Sequence, residues 1–419
     1  MSLNLKSSFV FDNIPDISHG GGAVTAYNIF LILCQKFDMV YFIILYKSSK
    51  KNISNFEKKL RLNYTNYKLI FCDLPNPAQE KISDIFFINR FKIFNSWKYS
   101  KKIETIIKKL NVDFLFAYHW EALAAVIKFK ECPKFLLVGD PIHLPILFRG
   151  LFYSKNKSKF SLGYLVQKYI ELTRIPLMKK GMKELLNQGT ITSAFAFHHS
   201  KDFNNICLNN KCLYIKTPMT DPYKLNEKKK FTKKKFKVMH IGHLAGIVTL
   251  YGINELIKNI VPILDIKIGK ENYELHIVGG NFENLNHKLK SLILKHQSII
   301  VRGKVSPADL DFKDSDVLIV PNSITLGIRV RIITALSYGL PVVTHIANKS
   351  GIPELEDEEN CLISDNTSGL ANAIIKLYDD DLLKNKISIS ARKTFENNFS
   401  LNSVGNHIET LLKKNIKVK

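Results

Sequence analysis

The stretch Leu326–Thr344 reads LGIRVRIITALSYGLPVVT, and it decides the fold class of this 419-residue chain. It follows the short apolar run Val317–Val320, which predicts a buried strand. Apolar residues then recur at helical spacing from about Arg329 to Tyr338. Gly339 predicts the end of that helix, and Pro341 leads into a second apolar strand. Strand, helix and strand in this order form a βαβ unit, the building block of parallel sheets.

The loop that opens this helix carries Gly327, Arg329 and Arg331. In parallel sheets, ligands lie at the carboxyl ends of strands, beside helix N-termini. A helix start offers N–H groups and partial positive charge, and guanidinium groups pair with phosphate oxygens. The sequence therefore predicts a phosphate site at this edge of the sheet.

The same alternation of short apolar strands and helices fills the chain on both sides of a lysine-rich run at 222–237. Charge dominates this run, which favours a solvated linker. We therefore predict an α/β protein with two doubly wound, Rossmann-like domains facing a central cleft. The first domain is expected at 1–221 and the second at 238–398, and a C-terminal helix is expected within 399–419.

The net charge of +24 suggests an anionic partner, although only eight of the 61 basic residues are arginine. One interpretation is solvated surface lysine, and the other is attraction to an anionic membrane face. Nucleic acid is disfavoured because no interleaved basic and aromatic motif, zinc module or helix-turn-helix is apparent.

No targeting or metal motif stands out. The longest apolar run near the N-terminus, Met39–Tyr46, is far shorter than the ~20 residues that span a bilayer. The first residues also lack the apolar segment of a signal peptide, so we expect a cytoplasmic protein. Of the six scattered cysteines, only Cys207 and Cys212 are close, which predicts free thiols and no metal site.

Candidate polar residues follow the predicted strands of the first domain. Three glycines at 20–22 follow the first strand, so Gly21 and Gly22 either let backbone approach a ligand or only form a tight turn. His119 follows the strand FLFAY, where a neutral imidazole binds a hydroxyl or acts as an acid-base group, unless it is structural. Asp140 either orients a hydroxyl or caps its turn, and the pair at 198–199 has no visible metal partner.

Glycines mark the strand ends of the second domain. Gly242 and His243 form its first strand-to-helix loop, a natural phosphate position. Gly279 and Gly280 end a later strand, where a backbone without side chains can lie flat against the ring of a ligand.

These pieces resemble a known family. The segments HIVGG, VLIVPNS, GIRVRIITALSYGLPVVT, GIPEL, ENCLI and ARKTFENNFS occur in the order found in nucleotide-sugar-dependent glycosyltransferases of group 1, which have the GT-B fold. The resemblance covers roughly residues 236–400 and extends more faintly into the first domain.

The resemblance implies that the C-terminal domain binds a nucleoside diphosphate sugar and that the N-terminal domain holds the acceptor. It also implies that the last helix crosses back to the N-terminal domain. Gly21 and Gly22 would meet the diphosphate or sugar, and His119 would contact the donor sugar. The expected reaction moves a sugar to an acceptor hydroxyl with retained configuration and without a bound metal or cofactor. A glycan or lipid-linked acceptor at the inner membrane face suits the basic charge.

The sequence departs from the family in its main motif. Leu326 and Thr334 occupy the positions of two family glutamates, and His243 and Tyr251 replace an arginine and a lysine of the first loop. We therefore expect other residues to balance the leaving-group charge, Arg331 first and Arg329 second, while Thr334 offers a hydroxyl to the ribose. The alternative is a scaffold that has lost turnover and serves as a carbohydrate- or nucleotide-binding partner.

Overall fold

The computed structural model describes residues 5–15, 21–61, 63–74, 99–145, 147–148, 162–207, 211–222, 235–244, 246–306 and 308–415. The chain divides into two compact units. Unit 1 comprises Met1–Ile215 and Gly405–Lys419, and unit 2 comprises Lys216–Val404. The first segment of unit 1 thus ends six residues before the limit of 221 expected from sequence. Most of the expected linker at 222–237 lies outside the described residues.

The sheet of unit 1 has seven described strands, all parallel, in the order β3-β2-β1-β4-β5-β6-β7. The chain reverses the direction in which it adds strands between β1 and β4, which makes this pair the topological switch point. The strands are Lys6–Phe11 (β1), Met39–Tyr46 (β2), Tyr67–Leu74 (β3), Phe114–Tyr118 (β4), Lys134–Val138 (β5), Ile191–Ala194 (β6) and Cys212–Tyr214 (β7).

Helices connect these strands, as parallel pairing requires. The described helices of unit 1 are Gly21–Lys36 (α1), Lys50–Arg61 (α2), Lys101–Leu110 (α3), Trp120–Ala125 (α4), Leu162–Leu186 (α5) and Phe197–Asn204 (α6). α3 shows the local rules: the Ser100 hydroxyl caps it by accepting from the Ile103 N–H, and Ile103 and Ile107 point into the core.

The helix at the C-terminus contributes to unit 1 from Gly405 onward. An added Cβ at Gly405 would lie 3.3 Å from Ile32 Cγ2 on α1, so the small residue allows close packing. On the same face of α1, Lys36 forms a 2.7 Å ion pair with Glu409.

The sheet of unit 2 has six described strands, all parallel, in the order β10-β9-β8-β11-β12-β13, with its switch point between β8 and β11. β11 is buried along its whole length, as expected for a strand covered on both faces. The strands are Phe236–Ile241 (β8), Tyr273–Val278 (β9), Ile299–Gly303 (β10), Val317–Val320 (β11), Val342–His345 (β12) and Leu362–Ser364 (β13).

The first helix of unit 2, Ile247–Glu255 (α7), continues into Val261–Lys267 (α8). A π-helical turn at Leu256–Ile260 joins the two. Pro262 follows the turn, and a proline ring cannot fit the regular α-helical hydrogen-bond pattern of the preceding turn. The remaining helices are Ile247–Glu255 (α7), Val261–Lys267 (α8), His287–Leu294 (α9), Asp309–Asp314 (α10), Val330–Ser337 (α11), Thr367–Asp379 (α12), Asp381–Asn398 (α13) and Leu401–Asn415 (α14).

The predicted doubly wound α/β architecture is confirmed. β6 ends at Ala194 and α6 begins at Phe197, so His198 and His199 lie in a helix. Strand and helix share one apolar run here, and periodicity alone does not separate a buried strand end from a buried helix start.

Two adjacent glycines at the end of β9 provide a test of backbone packing in unit 2. An added Cβ at Gly279 would overlap the Gly242 carbonyl oxygen, whereas at Gly280 it would meet only Lys304 Cβ, at 3.5 Å. We therefore expect Gly279→Ala to lower the free energy of unfolding by about 1–3 kcal/mol and Gly280→Ala by much less. Urea denaturation of both variants measures this difference, and equal effects would contradict the close approach of the two loops.

Candidate functional site

Polar candidate residues lie at the switch point of each sheet. In unit 1, Asp12 comes directly after β1 and His119 directly after β4. In unit 2, Gly242 comes directly after β8 and Asn322 follows β11 by two residues. A crevice opens at the carboxyl ends of strands where the winding direction reverses, and ligands bind there in open α/β sheets.

The imidazole of His119 is held from several sides within unit 1. Its Nδ1 lies 3.5 Å from the Oδ2 of Asp12, and its ring packs against the rings of Phe11 and Tyr118. About a third of the side chain is exposed (32%), so the group is oriented and still accessible. An aspartate at Nδ1 favours the tautomer in which Nε2 carries the lone pair and accepts a hydrogen bond from a ligand.

Glycines make room for this ring. An added Cβ at Gly22 would lie 3.4 Å from His119 Cε1, and one at Gly139 would lie 3.5 Å from its Cδ2. Gly21 and Gly22 form the first turn of α1, where the Gly21 carbonyl accepts a hydrogen bond from Thr25. The structure therefore brings Gly22 and His119 together, whereas His19 and Gly20 of the same motif lie outside the described residues.

His119 has a strained backbone. It precedes α4 with φ 70° and ψ 160°, a region that is almost exclusive to glycine. Such strain costs on the order of 1–3 kcal/mol and persists mainly where function needs the side chain.

Sequence reasoning did not find Asp12, whose Oδ1 is buried without a hydrogen-bond partner among the described residues. Its position directly after β1 was the available signal.

Arg331 organises the switch point of unit 2. Its guanidinium donates from Nη1 to the carbonyl of Ile241, the last residue of β8, and from Nη2 to Asn322 Oδ1 at 3.2 Å. An added Cβ at Gly242 would collide with Nη1, so this loop needs a glycine over the guanidinium. Arg331 therefore links the strand ends on the two sides of the switch point.

Asn322 completes this link, and sequence reasoning did not single it out. Its side chain is buried and donates from Nδ2 to the Val248 carbonyl at the start of α7. Its own carbonyl accepts from Asn348 Nδ2 at 3.2 Å. An added Cβ at Gly252 would lie 2.5 Å from Asn322 Nδ2, so α7 packs closely on the amide.

Positive charge accumulates at this point. Burial, and then the neighbouring charge of Arg329, lowers the pKa of Arg331 to about 9. No carboxylate of the described residues forms an ion pair with Arg331. An anionic ligand is the group that would favour the charged form of such a site.

The remaining predicted residues surround the start of α11. Arg329 immediately precedes the helix and donates to the Ile324 carbonyl at 3.3 Å, and Gly327 has a φ of 62°, which suits glycine. Thr334 lies one turn into α11 and donates its hydroxyl to the Val330 carbonyl at 3.1 Å. That hydroxyl retains its lone pairs as acceptors.

The first loop of unit 2 places His243 at the surface. Its Nε2 lies 2.6 Å from Asn281 Nδ2, so the loop is tied to the segment after β9. Gly279 lies against Gly242, and its lack of a side chain is required by this backbone contact. The structure therefore brings Gly242, His243 and Gly279 together.

The cysteines are free thiols, as predicted, and burial raises the pKa of Cys361 to about 12. Within the described ranges, no three His, Cys, Asp or Glu side chains converge in a way that would hold a metal ion. None of the described helices combines the length and the apolar character needed to cross a membrane.

Comparison with known proteins agrees with this architecture. The model of the family Glycosyl transferases group 1 matches residues 235–380. No curated protein sequence matches the chain.

Solved structures match over nearly the whole chain. A glycosyltransferase from Rickettsia africae is 16% identical with a TM-score of 0.66 and covers 100% of both chains. Anabaena HepE, solved with UDP and glucose, is 12% identical with a TM-score of 0.64, and covers 98% of this chain and 100% of its own. S. aureus TarM is 12% identical with a TM-score of 0.69, and covers 98% of each chain.

The protein has the two-domain fold of the GT-B glycosyltransferases. Within the second unit, residues 235–380 match the group 1 glycosyltransferase family. The resemblance stated from sequence is thereby confirmed.

The strain at His119 can be measured with two truncations. His119→Ala and His119→Gly both remove the ring, but only alanine keeps a Cβ at φ 70°. We expect the glycine variant to be more stable than the alanine variant by about 1–2 kcal/mol, the reverse of the usual order. Urea unfolding followed by tryptophan fluorescence reports on unit 1 through Trp120, the first residue of α4.

Ala124→Gly within α4 serves as the control for this comparison. Glycine in an ordinary helical position should cost about 1 kcal/mol relative to alanine. A His119→Ala variant as stable as His119→Gly would show that the strained backbone does not exist in solution.

His240 in β8 provides a pH test of the buried positive charge. Burial, and then the charge of Arg331, lowers its pKa from 6.5 to about 3, although a hydrogen-bond contact of its Nδ1 with the Ile319 carbonyl opposes the shift. Below pH 6.5 the unfolded chain takes up a proton that the folded state resists, so stability falls as the pH falls. Between pH 7 and pH 5 this group should remove about 2 kcal/mol.

Hydrogen exchange of the β8 and β11 amides measures the stability of unit 2 across this range. His240→Leu should show a smaller loss between pH 7 and pH 5, because leucine does not titrate. An unchanged pH dependence in this variant would contradict the depressed pKa.

Proposed function

We propose that the protein transfers a sugar from a nucleoside diphosphate sugar to an acceptor hydroxyl. The observation that carries this proposal is the guanidinium pair of Arg331 and Arg329 at the switch point of a group 1 domain. The partly buried charge of Arg331, which has no carboxylate partner among the described residues, favours an anion. A diphosphate is the anion that a nucleotide sugar brings.

The geometry of unit 2 supports a role for these arginines in leaving-group stabilisation. As the bond between sugar and phosphate breaks, negative charge develops on the departing diphosphate. Arg331 is already fixed by Ile241 and Asn322, so its charge requires no reorganisation during the reaction. Arg329, at the start of α11, adds a second cation beside the positive end of the helix.

The other donor-binding assignments follow from position. Gly242 and His243 would face the diphosphate, because they form the loop above Arg331. Gly279 lets the Gly242 backbone lie close, Gly327 has a φ that suits glycine, and Thr334 would offer an acceptor oxygen to the ribose. In unit 1, His119 would contact the donor sugar, with Gly21 and Gly22 beside it.

We further propose that the reaction retains the anomeric configuration and needs no metal ion or cofactor. The resemblance to the group 1 enzymes favours retention. The guanidinium pair supports a metal-independent reaction, because it supplies positive charge of the kind that a metal provides to a diphosphate in other enzymes.

The acceptor is proposed to be a glycan or lipid-linked group used in cell-surface polysaccharide synthesis. HepE has been solved with UDP-glucose and TarM with alpha-GlcNAc-glycerol, which supports a UDP-sugar donor and a hydroxyl-bearing acceptor for this chain. The net charge of +24 supports action in the cytoplasm with peripheral contact to an anionic inner membrane face, and not with nucleic acid.

A non-catalytic binding partner is the second candidate function. Leu326 and Thr334 favour it, because they stand where the family carries glutamates that touch sugar and ribose. The Thr334 hydroxyl is also engaged with Val330 in its own helix. Both candidates predict diphosphate binding, and only the first predicts turnover.

Thermal unfolding with UDP, GDP or ADP tests the anion site. One of these should raise the melting temperature of the wild type, since ligand at a hundred times its Kd stabilises by about 2.7 kcal/mol. Arg331→Ala should lose most of this rise and Arg329→Ala a smaller part, each measured against the same variant without ligand. Arg302→Ala is the matched control, because this arginine pairs with Asp311 on another part of unit 2.

Turnover then separates the two functions. The proposed transferase hydrolyses or transfers the matching nucleotide sugar, and product release is followed by chromatography with several hydroxyl acceptors. Binding without any turnover would support the partner function, and no stabilisation by any nucleoside diphosphate would contradict both.

A further inference from the structure

A second aspartate–histidine pair lies beside the first one in unit 1. Asp140 follows β5 by two residues, and His199 is the third residue of α6, the helix after β6. The Nδ1 of His199 lies 3.3 Å from Asp140 Oδ1. Because β1, β4, β5 and β6 are neighbours in the sheet, the two pairs form one row along its carboxyl edge.

The two members of this second pair differ in exposure. The His199 side chain is 1% exposed, whereas the Asp140 side chain is 48% exposed. The Nε2 of His199 is buried and has no hydrogen-bond partner among the described residues. Burying an imidazole whose Nε2 lacks a hydrogen-bond partner costs free energy. The polar contact that this buried ring does make is the one between its Nδ1 and the accessible carboxylate of Asp140.

The backbone of Asp140 is fixed next to His119. Trp120, the first residue of α4, donates from Nε1 to the Asp140 carbonyl at 3.1 Å. Gly139 lies against the His119 ring, so Asp140 follows directly after a residue in contact with the candidate catalytic imidazole. Burial raises the pKa of Tyr118, and the charges of Asp140 and Asp12 raise it further, which places both carboxylates around this phenol.

We propose that Asp140 binds a hydroxyl group of the acceptor and that His199 is its positioning residue. This inference rests on the proposed function, in which unit 1 holds the acceptor. A carboxylate accepts hydrogen bonds from hydroxyl groups and repels phosphate, so the acceptor presents a sugar-like, polyhydroxylated end to this edge of the sheet. The buried imidazole holds one carboxylate oxygen and thereby fixes the direction of the carboxylate.

The test measures sugar binding directly and does not require turnover. Saturation-transfer NMR is recorded with free glucose, galactose and N-acetylglucosamine in the presence of UDP. Wild-type protein should show transfer to at least one hexose, and Asp140→Asn should bind that hexose about tenfold more weakly, since the charge-assisted hydrogen bond is lost. The rise in melting temperature with UDP should stay unchanged in this variant.

Asp113→Asn is the matched control, because Asp113 lies at the opposite edge of the same sheet and accepts from the Lys6 N–H. It removes the same charge and should leave hexose binding unchanged. His199→Leu should weaken hexose binding several-fold, whereas His199→Asn should preserve most of it, because an asparagine amide can replace the Nδ1–H donor.

Each outcome has one meaning. Equal hexose binding by wild type and Asp140→Asn, or no binding of any of these sugars by wild type, overturns the assignment of Asp140. Weaker hexose binding together with an equal loss of the UDP response in Asp140→Asn also overturns it, because the effect would then be structural. Absence of a UDP response in the wild type contradicts the proposed function, while the hexose comparison still decides on Asp140.

Discussion

The hydrogen bonds of one partly buried guanidinium connect the strand ends at the carboxyl edge of unit 2. Arg331 joins the end of β8 to the residue that follows β11, and Gly242 must lack a side chain to lie over it. Asn322 extends the same connection to α7. Arg331 is therefore both a structural link between these strand ends and a source of positive charge at the switch point.

The two units use the same topology with opposite electrostatics. Both sheets reverse their winding between the first and fourth of their strands, and both carry polar groups there. Unit 1 presents the carboxylates of Asp12 and Asp140 with their histidines, which suits hydroxyl groups. Unit 2 presents the guanidinium pair, which suits a diphosphate. This division of charge agrees with a reaction that joins a hydroxyl acceptor to a phosphate-activated sugar.

Sequence reasoning found the sheets, because strands buried on both faces are short apolar runs that helices separate at regular intervals. It also singled out Arg331 and His119, since each follows such a run or opens such a helix, and the structure places both at a switch point. It missed Asp12 and Asn322, and it named His199 without its partner Asp140, because a single sequence does not show which strand ends become neighbours.

Leu326 and Thr334, which stand where the resembling family carries glutamates, affect the electrostatics around Arg331. Glutamates at these positions would place negative charge near Arg329 and Arg331 and would offset their repulsion. Without them, Arg329 lowers the pKa of Arg331, and the unliganded site is less favourable than in a protein that carries both carboxylates. A bound diphosphate therefore relieves more repulsion here than it would in such a protein. With Leu326 and Thr334 at these positions, the charges of Arg331 and Arg329 therefore favour an anionic ligand more strongly.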